Sequence, residues 1–342
     1  MTDPGEHLLD DWPKVSLADM PAAYAPFCAL CKCVTAARDQ GMYPARPDLR
    51  ARLTFKLMNY RHAYHAGNFA DVLKHLVLTL VIEHLKQKPA PFRVIDTHAG
   101  TGLYDLTGIE AQKTGEWLSG IGRVLAEPLP PDVTAILAPY LDCVRAENPA
   151  GTLARYPGSP LIARRLLREN DVLVVNELHP QDHAELAGLF ARDLQTKVLH
   201  LDGWTALKSL LPPKERRGVI LVDPPFEEAG ELDRLVTGLK DVQRRFATGT
   251  VILWYPIKAL RPLDRFYAAL SELGFEKILI TELYVRPPTD LDGLNGTGLV
   301  IFNPPYTLAD RLRNALPALT ERLAADPGAF HVIDVRCPPA RT

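Results

Sequence analysis

Apolar residues recur at helical spacing about a fifth of the way along the chain and predict a long helix there. The pattern covers residues 69–81, where apolar side chains return every three or four positions. Asn68 and, three residues later, Asp71 predict an N-cap and a capping box at the start of this helix. The helix should end near Lys88, because Pro89 cannot continue it.

Short apolar runs then alternate with helical stretches along most of the remaining chain. Seven runs have the length and composition of strands, and their alternation with helices predicts an α/β fold with a doubly wound, mostly parallel, seven-stranded sheet of Rossmann-like type. The segment 103–158 is longer than one crossover helix requires, which predicts an inserted small helical subdomain. The strand candidates are residues 92–96, 172–177, 197–202, 219–223, 250–255, 277–285 and 299–303.

Residues 1–57 differ from the rest because they are punctuated by prolines and lack sustained periodicity. We interpret them as an N-terminal extension of a single domain over residues 58–342, and we predict that translation begins at Met58. Cys28, Cys31 and Cys33 would supply half of a zinc site, but no second pair follows at zinc-finger spacing. Unpaired thiols are therefore expected, and no metal site is predicted.

The 342 residues contain 47% hydrophobic and 23% charged side chains, close to the average of globular proteins. This composition excludes a disordered chain, a collagen and a disulfide-rich miniprotein. No apolar run reaches the roughly 18 residues of a membrane span, and the acidic start does not resemble a signal peptide. We therefore expect a cytoplasmic protein without a membrane partner.

The charge is nearly balanced, with 39 lysines and arginines against 41 carboxylates. A nucleic acid would consequently have to be bound by local basic patches rather than by the net charge. Three basic clusters either bind phosphates or are merely solvated. They are Arg164 with Arg165 and Arg168, Lys214 with Arg216 and Arg217, and Arg244 with Arg245.

Carboxylates terminate four successive strand candidates. They are Asp96, Glu177, Asp202 and Asp223. Ligands of open α/β sheets bind outside the carboxyl ends of the strands, whereas packing alone would favour apolar or turn residues there. A row of acceptors at one edge suits a ligand that is rich in hydroxyl and amino groups.

Two glycines after the first strand candidate allow the backbone to approach such a ligand closely. Gly100 and Gly102 fit the start of a dinucleotide-binding fingerprint, but its third glycine is missing, which disfavours NAD. Glu177 stands where an adenosine ribose is usually held, and Asp202 is placed to accept a hydrogen bond from an adenine amino group. These strand ends resemble those of class I S-adenosylmethionine-dependent methyltransferases, which implies S-adenosyl-L-methionine as the cofactor.

The most specific motif is Asp223-Pro224-Pro225-Phe226, which resembles the (Asp/Asn/Ser)-Pro-Pro-aromatic motif of methyltransferases that modify an exocyclic or amide nitrogen. The N6 lone pair of adenine is delocalised into the ring, and hydrogen bonds to the Asp223 carboxylate and the Pro224 carbonyl would favour a nucleophilic nitrogen. The prolines restrict the direction of that carbonyl, and Phe226 offers a face for base stacking. We therefore predict Asp223, Pro224 and Phe226 as catalytic residues.

A second tetrapeptide, Asn303-Pro304-Pro305-Tyr306, fits the same pattern. It follows the seventh strand candidate, whereas the motif of nitrogen methyltransferases follows the fourth, next to the cofactor site. The order along the chain therefore favours Asp223 over Asn303 as the catalytic acceptor.

Several longer motifs complete the pattern. They are Met58-Asn-Tyr-Arg-His-Ala-Tyr-His-Ala-Gly-Asn-Phe-Ala-Asp-Val-Leu-Lys-His75, Asp96-Thr-His-Ala-Gly100, Tyr156-Pro-Gly-Ser-Pro-Leu-Ile-Ala163, Glu177-Leu-His-Pro180, Asp202-Gly203, Asp223-Pro-Pro and Leu253-Trp-Tyr-Pro256. Together they resemble the ribosomal RNA large subunit methyltransferase J family, from residue 58 to near the C-terminus. That family methylates N6 of one adenine, at position 2030 of 23S rRNA, with S-adenosyl-L-methionine.

The resemblance implies roles for individual residues, position by position. Asp223 matches the catalytic acidic residue, and Tyr60 matches the aromatic residue near the target adenine. Arg61, His62 and Lys74 lie in the same signature, where they would contact the RNA. The cofactor contacts implied are His75, His98, Ser159, Glu177, Asp202, Gly203 and Asp223, to which the loop adds Gly100.

Two features depart from the family pattern, and three residues have structural alternatives. Phe226 stands where tyrosine is expected, which keeps stacking but loses a hydroxyl, and residues 1–57 have no counterpart. His75 lies off the apolar face of its helix, where a solvated side chain is the default. Ser159, followed by a proline, is first of all a helix N-cap. His98 replaces a loop glycine, so a cofactor-facing role suits it better than a place in the core.

We expect an rRNA adenine-N6 methyltransferase, a monomer that acts on protein-free 23S rRNA or an early assembly intermediate. DNA adenine methylation is equally compatible with the Asp-Pro-Pro-Phe motif, although only the segment 103–158 offers a candidate target-recognition domain. The third hypothesis is a non-catalytic RNA-binding protein with a methyltransferase fold. Intact acceptors at all four strand ends argue against it.

Overall fold

The computed structural model of the protein describes residues 60–227, 230–258, 261–289 and 293–336. All of them belong to the unit Met58–Thr342. The predicted extension and its cysteines, Cys28, Cys31 and Cys33, lie outside the described residues. The expectations about that segment therefore stay predictions.

The long helix predicted near the start of the domain is α1 (Phe69–Lys86). Asn68 caps it as expected, because its side-chain oxygen accepts hydrogen bonds from the amides of Ala70 and Asp71. The Asp71 carboxylate reaches further back and accepts a bond from the Gly67 amide at 2.8 Å. Nearly every side of α1 is buried, because the sheet and several other helices cover it.

The described residues form one eight-stranded sheet and a separate two-stranded ribbon. The main sheet contains the seven predicted strands and one more, which pairs antiparallel at its edge. The strands of the main sheet are β1 (Arg93–Asp96), β4 (Val172–Asn176), β5 (Thr196–Leu199), β6 (Gly218–Val222), β7 (Thr250–Ile257), β8 (Ile278–Tyr284), β9 (Gly296–Phe302) and β10 (Phe330–Arg336). The ribbon consists of β2 (Leu103–Asp105) and β3 (Arg155–Pro157).

The strand order of the main sheet is β10-β8-β9-β7-β6-β1-β4-β5. Neighbours from β7 to β5 are parallel, whereas β7, β9, β8 and β10 pair antiparallel. The ends of β6, β1, β4 and β5 consequently meet along one side, which we call the carboxyl edge. The opposite side, where β6 and β7 begin, is the amino edge. Because β9 runs against β7, β9 ends at the amino edge.

Helices cover both faces of the sheet, as the doubly wound prediction requires. Side chains of α1, α5, α6 and α11 share one core cluster, and side chains of α8, α9 and α10 share the other. The inserted segment contains α2 to α5, bracketed by the ribbon. No described helix is both long enough and apolar enough to cross a membrane. The helices after α1 are α2 (Ile109–Thr114), α3 (Glu116–Ser119), α4 (Ile121–Ala126), α5 (Pro131–Ala146), α6 (Ser159–Leu166), α7 (Pro180–Leu189), α8 (Gly203–Ser209), α9 (Glu231–Phe246), α10 (Arg261–Ser271) and α11 (Leu308–Leu323).

Candidate active site

Four carboxylates stand along the carboxyl edge. Asp96 ends β1, Glu177 directly follows β4, Asp202 lies between β5 and α8, and Asp223 directly follows β6. Because these four strands are neighbours in the sheet, the carboxylates form a row. The strand order thus brings together residues that lie far apart in the sequence.

A buried lysine neutralises the last carboxylate of this row. Lys74 on α1 is only 4% exposed, and its Nζ lies 2.5 Å from Asp223 Oδ2 and 2.8 Å from Asp71 Oδ1. Burial alone would lower the pKa of Lys74, but the charges of Asp223 and Asp71 outweigh it and hold that pKa well above the usual range. The ammonium group is therefore charged, and it fixes the position of the Asp223 carboxylate.

This ion pair is the inner end of a chain of polar contacts. Tyr60 Oη lies 2.8 Å from His62 Nδ1, and His62 Nε2 lies 2.9 Å from Asp71 Oδ2. Burial opposes the charge on Asp71, but His62 and Lys74 hold the pKa of its carboxyl well below the usual range. Burial and nearby carboxylates raise the pKa of Tyr60, which keeps its phenol neutral. Tyr60 is thereby linked to Asp223 through the side chains of His62, Asp71 and Lys74.

Aromatic rings lie beside the Lys74 and Asp223 pair. The ring of Phe226 meets the Trp254 ring edge-on, with 5.5 Å between the centroids. Trp254 donates a hydrogen bond from Nε1 to Thr297 Oγ1 at 2.7 Å, and its ring lies 6.0 Å from Lys74 Nζ. Phe226 has a φ of +53°, a left-handed conformation that is unusual for a bulky residue. Such backbone strain is found preferentially at functional sites.

The loop after β1 is tied to the end of β4. The amides of Gly100 and His179 donate hydrogen bonds to the two oxygens of Glu177, at 2.8 and 2.7 Å. Gly100 has a φ of +59°, and a Cβ there would lie 2.1 Å from the Tyr104 hydroxyl. Glycine is thus required at position 100. Burial of the Glu177 carboxyl group raises its pKa.

His98 and Gly203 approach each other from neighbouring loops. A Cβ at Gly203 would lie 2.4 Å from His98 Nε2, while His98 Nδ1 lies 2.8 Å from the Thr97 hydroxyl. Burial lowers the pKa of His98 to about 4, so its imidazole is neutral at pH 7. Asp202 caps α8 by accepting a hydrogen bond from the Thr205 amide at 2.9 Å. The structure therefore brings His98, Asp202 and Gly203 together.

Ser159 contacts Asp96 rather than the backbone of its own helix. Its hydroxyl donates a hydrogen bond of 2.6 Å to Asp96 Oδ2, and it makes no cap bond, because Gly158 occupies the N-cap position of α6. The interpretation of Ser159 as an N-cap is therefore wrong. Burial raises the pKa of Asp96 to about 7, although the Ser159 bond opposes that shift.

His75 lies in the interior. It is 1% exposed, its Nδ1 lies 2.7 Å from Tyr156 Oη, and Tyr156 Oη lies 2.9 Å from Tyr140 Oη. The alternative of a solvated side chain is therefore wrong, because α1 is covered on both the apolar and the polar side. Burial lowers the pKa of His75 to about 3.

Arg61 differs from the other residues of its signature. Its guanidinium lies 3.1 Å from Asp182, 3.7 Å from Glu185 and 3.8 Å from Glu110. The structure thus joins Tyr60, His62 and Lys74 in one polar chain and places Arg61 among carboxylates of α2 and α7.

Two residues of this site escaped the sequence analysis. Asp71 was interpreted only as part of a helix cap, although its spacing of three residues from Lys74 is that of a helical ion pair. Trp254 lies within the Leu253-Trp-Tyr-Pro256 motif but received no role. No group of three or more histidine, cysteine or carboxylate side chains is arranged to hold a metal ion in the part of the chain that the structure describes.

Comparisons with known proteins agree on one family. The family model described as "Ribosomal RNA large subunit methyltransferase D, RlmJ" matches residues 89–334. Two curated relatives are named "Ribosomal RNA large subunit methyltransferase J". The one from Escherichia coli K12 is 45% identical over 267 residues, which cover 78% of this chain and 94% of the relative. The one from Haemophilus influenzae is 42% identical over 272 residues, 79% of this chain and 95% of the relative.

A solved structure shows the same fold. The crystal structure of a protein from Legionella pneumophila is similar with a TM-score of 0.72 and 34% identity, over 79% of this chain and 98% of that one. The motifs, the order of the strands and these relatives lead to the same conclusion. The chain belongs to the ribosomal RNA large subunit methyltransferase J family and is a methyltransferase.

Proposed function

We propose that this methyltransferase transfers a methyl group from S-adenosyl-L-methionine to N6 of adenine 2030 in 23S rRNA. The observation that carries the proposal is the ion pair of the buried Lys74 with the partly buried Asp223 at the end of β6, beside the aromatic rings of Tyr60, Phe226 and Trp254. The names of the two curated relatives support a large-subunit rRNA as the substrate.

The donor set of the carboxyl edge fits the proposed cofactor. Glu177, oriented by two backbone amides, is a suitable acceptor for ribose hydroxyls, and Asp202 for an adenine amino group. When bound, S-adenosyl-L-methionine supplies an electrophilic methyl group on its sulfonium. The full set proposed to hold it is His75, His98, Gly100, Ser159, Glu177, Asp202, Gly203 and Asp223.

Asp223 is proposed to orient the nitrogen that reacts. Its carboxylate and the Pro224 carbonyl accept hydrogen bonds from the N6 amino group, which directs the lone pair of N6 toward the methyl group. N6 would lose one proton as it gains the methyl group and the methyl–sulfur bond breaks, and the Asp223 carboxylate, which accepts its hydrogen bond, would receive that proton. Lys74 acts through Asp223 as a positioning residue.

The target base is proposed to lie between the aromatic side chains. Phe226 and Tyr60 offer ring faces for stacking, and stacking of a base on aromatic residues is the usual way to hold an unpaired nucleotide. His62 fixes the Tyr60 hydroxyl. Arg61, although paired with carboxylates, stays a proposed RNA contact of the same signature.

The proposal is tested by methyl transfer from radiolabelled S-adenosyl-L-methionine. The acceptors are protein-free 23S rRNA, a short hairpin containing adenine 2030, the same hairpin with guanine at that position, and duplex DNA. We expect incorporation into the first two only. Incorporation into DNA alone would establish the DNA methyltransferase hypothesis instead, and incorporation into the guanine hairpin would contradict the proposed site.

The state of the enzyme and its substrate complete the proposal. We infer that a monomer located in the cytoplasm methylates free rRNA or an early assembly intermediate. Light scattering of the purified protein should give the mass of one chain, and protein-free 23S rRNA should be methylated faster than rRNA in finished large subunits. A dimer mass, or a preference for finished subunits, would contradict this inference.

A further inference from the structure

A pocket opens at the amino edge of the sheet, away from the four carboxylates. Its volume is about 450 Å³, and it lies where α1 ends, where β6 and β7 begin and where β9 ends. The polar and aromatic side chains used in the argument are His84, Lys88, Arg216, Arg217, Lys277 and Tyr306. Among the described residues, no carboxylate lines this pocket.

Its cations are unpaired, in contrast to the other basic clusters of the sequence. Arg164, Arg165 and Arg168 pair with Asp193, Glu147 and Asp171, and Arg244 pairs with Asp241. Within the described ranges, no carboxylate lies within ion-pair distance of Lys88, Arg216, Arg217 or Lys277. Of the three clusters, the one at the pocket therefore presents the most positive charge without a carboxylate partner among the described residues, whereas in the third cluster Arg245 bonds only the Lys208 carbonyl.

Burial and the positive charge of the pocket lower the pKa of a neighbouring histidine, His84. Burial is the largest cause of this lower pKa, followed by Arg217, Lys88 and Arg311. Arg217 is held in place by the neutral backbone carbonyls of Leu85 and Ala90. An anion bound here would meet cations that need not first break an ion pair.

The backbone of the pocket adopts the left-handed conformation at two residues. Among the described residues, three non-glycine residues have a positive φ: Phe226 at the carboxyl edge, and Arg216 (+54°) and Asn303 (+48°) at this pocket. Asn303 is locked in place, because its side-chain amide donates to the carbonyls of Ala247 and Gly249 at 2.7 and 2.9 Å. Residues held in such conformations cluster at functional sites.

Tyr306 adds an aromatic surface to the cations. It is 80% exposed and follows two prolines that restrict the backbone. Its ring is held edge-on to the His84 ring, with 5.5 Å between the centroids. A fixed and exposed aromatic ring beside unpaired cations matches the way proteins bind nucleotides of an unpaired strand, by base stacking and phosphate contacts.

We propose that this pocket is a second RNA-binding site, which takes one nucleotide of the substrate rRNA with its phosphate against Lys88, Arg216 and Lys277 and its base on Tyr306. The inference rests on the proposed function, because the nucleotide belongs to the RNA that is methylated at the other edge. The five residues of β6 span about 16 Å at roughly 3.3 Å per residue, a distance that a folded rRNA domain covers easily. The pocket would thus bind RNA outside the short hairpin that carries the target adenine.

The test compares two triple variants of equal charge. Lys88→Gln/Arg216→Asn/Lys277→Gln removes three exposed cations of the pocket, and asparagine tolerates the left-handed backbone at position 216. The control, Lys197→Gln/Lys208→Gln/Lys240→Gln, removes three exposed lysines elsewhere. Tyr306→Ala and Tyr306→Phe separate stacking from the hydroxyl. Binding of a 23S rRNA domain and of the short hairpin is measured by fluorescence anisotropy at several salt concentrations.

We expect the pocket variant to bind the rRNA domain roughly tenfold more weakly. The slope of the logarithm of its binding constant against the logarithm of the salt concentration should be shallower by about two to three. Tyr306→Ala should weaken binding roughly fivefold or more, and Tyr306→Phe should not. Hairpin binding and the methylation rate of the hairpin should match the wild type in all four variants.

Three results would contradict the proposal. A pocket variant that binds the rRNA domain with the affinity and salt dependence of the control variant would overturn the proposal. In that case the proposed function would still stand if the wild type methylates the hairpin. Tight binding of free adenosine monophosphate by the wild type, lost in the pocket variant, would identify a small-nucleotide site instead. A wild type that binds no rRNA at all would overturn both the pocket and the proposed function.

Discussion

The two edges of one sheet carry almost the same tetrapeptide in opposite chemical surroundings. Asp223-Pro224-Pro225-Phe226 lies at the carboxyl edge, where its carboxylate pairs with a buried lysine. Asn303-Pro304-Pro305-Tyr306 lies at the amino edge beside unpaired cations. The residue with a positive φ is the last of the first motif and the first of the second, so the two turns also differ in backbone geometry.

The comparison shows that strand direction decides what such a motif can do. β6 is parallel to its neighbours β1 and β7, so Asp223 joins the row of carboxylates at the strand ends. β9 is antiparallel to β7 and delivers Asn303 to the other side of the sheet. The tetrapeptide alone does not show in which direction the preceding strand runs, and therefore does not show on which side of the sheet the motif lies.

Removing the first side chain of each motif should give the largest effect. Asp223→Ala should lower kcat on the short hairpin by roughly 10³-fold, because it removes the acceptor that orients N6. Asn303→Ala should keep kcat but lower the free energy of unfolding by about 1–3 kcal/mol, because two backbone carbonyls lose their partner. Single-turnover kinetics and urea denaturation measure the two effects. Methyl transfer that survives Asp223→Ala but not Asn303→Ala would reverse the assignment of the edges.

A second comparison sets the buried, paired lysine against an exposed, unpaired one. Lys74→Met should lower the free energy of unfolding by about 3–5 kcal/mol, because the buried Asp71 and the partly buried Asp223 lose their ammonium partner. Lys277→Met should change it by no more than about 0.5 kcal/mol, as expected for an exposed side chain. Both values come from urea denaturation.

The control for this comparison is the double variant Lys74→Met/Asp71→Asn. It should recover part of the stability, because one of the two uncompensated charges is removed. Equal losses in Lys74→Met and Lys277→Met, or no recovery in the double variant, would show that the ion pair at the carboxyl edge contributes little.

The pH dependence of stability should distinguish two histidines with lowered pKa values. The folded-state pKa of His75 is about 3, below the unfolded value of about 6.5, so the unfolded chain binds a proton first as the pH falls. The contribution of the neutral His75 to the free energy of unfolding is therefore complete above pH 6.5 and is lost progressively between pH 6.5 and 3.

The measurement is the loss of unfolding free energy between pH 7.5 and 5.5. His75→Gln should lose about 1.4 kcal/mol less than the wild type over this interval. His84→Gln, at the more exposed amino-edge position, should differ less from the wild type. An identical pH slope in the wild type and His75→Gln would contradict the burial of a neutral imidazole.

The smallest predicted effect concerns the close approach of two loops at the carboxyl edge. In Gly203→Ala the new Cβ meets His98 Nε2, and displacement of the imidazole should weaken S-adenosyl-L-methionine binding about fivefold, the lower end of the cost of overpacking. Gly188→Ala in α7 is the matched control, because its Cβ meets no atom within 4 Å. Calorimetry of cofactor binding compares the two variants, and equal dissociation constants would remove His98 from the proposed cofactor site.

Much of the fold was predictable because buried strands leave a local apolar pattern. All seven predicted strands are present. β10 was missed because it is a partly exposed edge strand whose polar residues interrupt any apolar run. The strands of the ribbon, β2 and β3, have three residues each, too few for a periodic signal.

The site was predictable only as far as motifs reach. Asp223 and Lys74 were both identified, but their contact joins residues 149 positions apart and depends on where α1 packs. The same packing buries His75, since periodicity assumes one solvent-facing side and α1 has almost none. Trp254 was overlooked because its role arises from neighbours in space rather than in sequence, whereas the spacing of Asp71 and Lys74 was a signal in the sequence.

The most direct test of the central claim is mass mapping of N6-methyladenine in 23S rRNA. The samples come from a strain that lacks this gene and from the same strain complemented with the wild type, Asn303→Ala or Asp223→Ala. We predict that the wild type and Asn303→Ala restore the modification at adenine 2030 and that Asp223→Ala does not. Unchanged methylation of this adenine in the deletion strain, or its restoration by Asp223→Ala, would contradict the account.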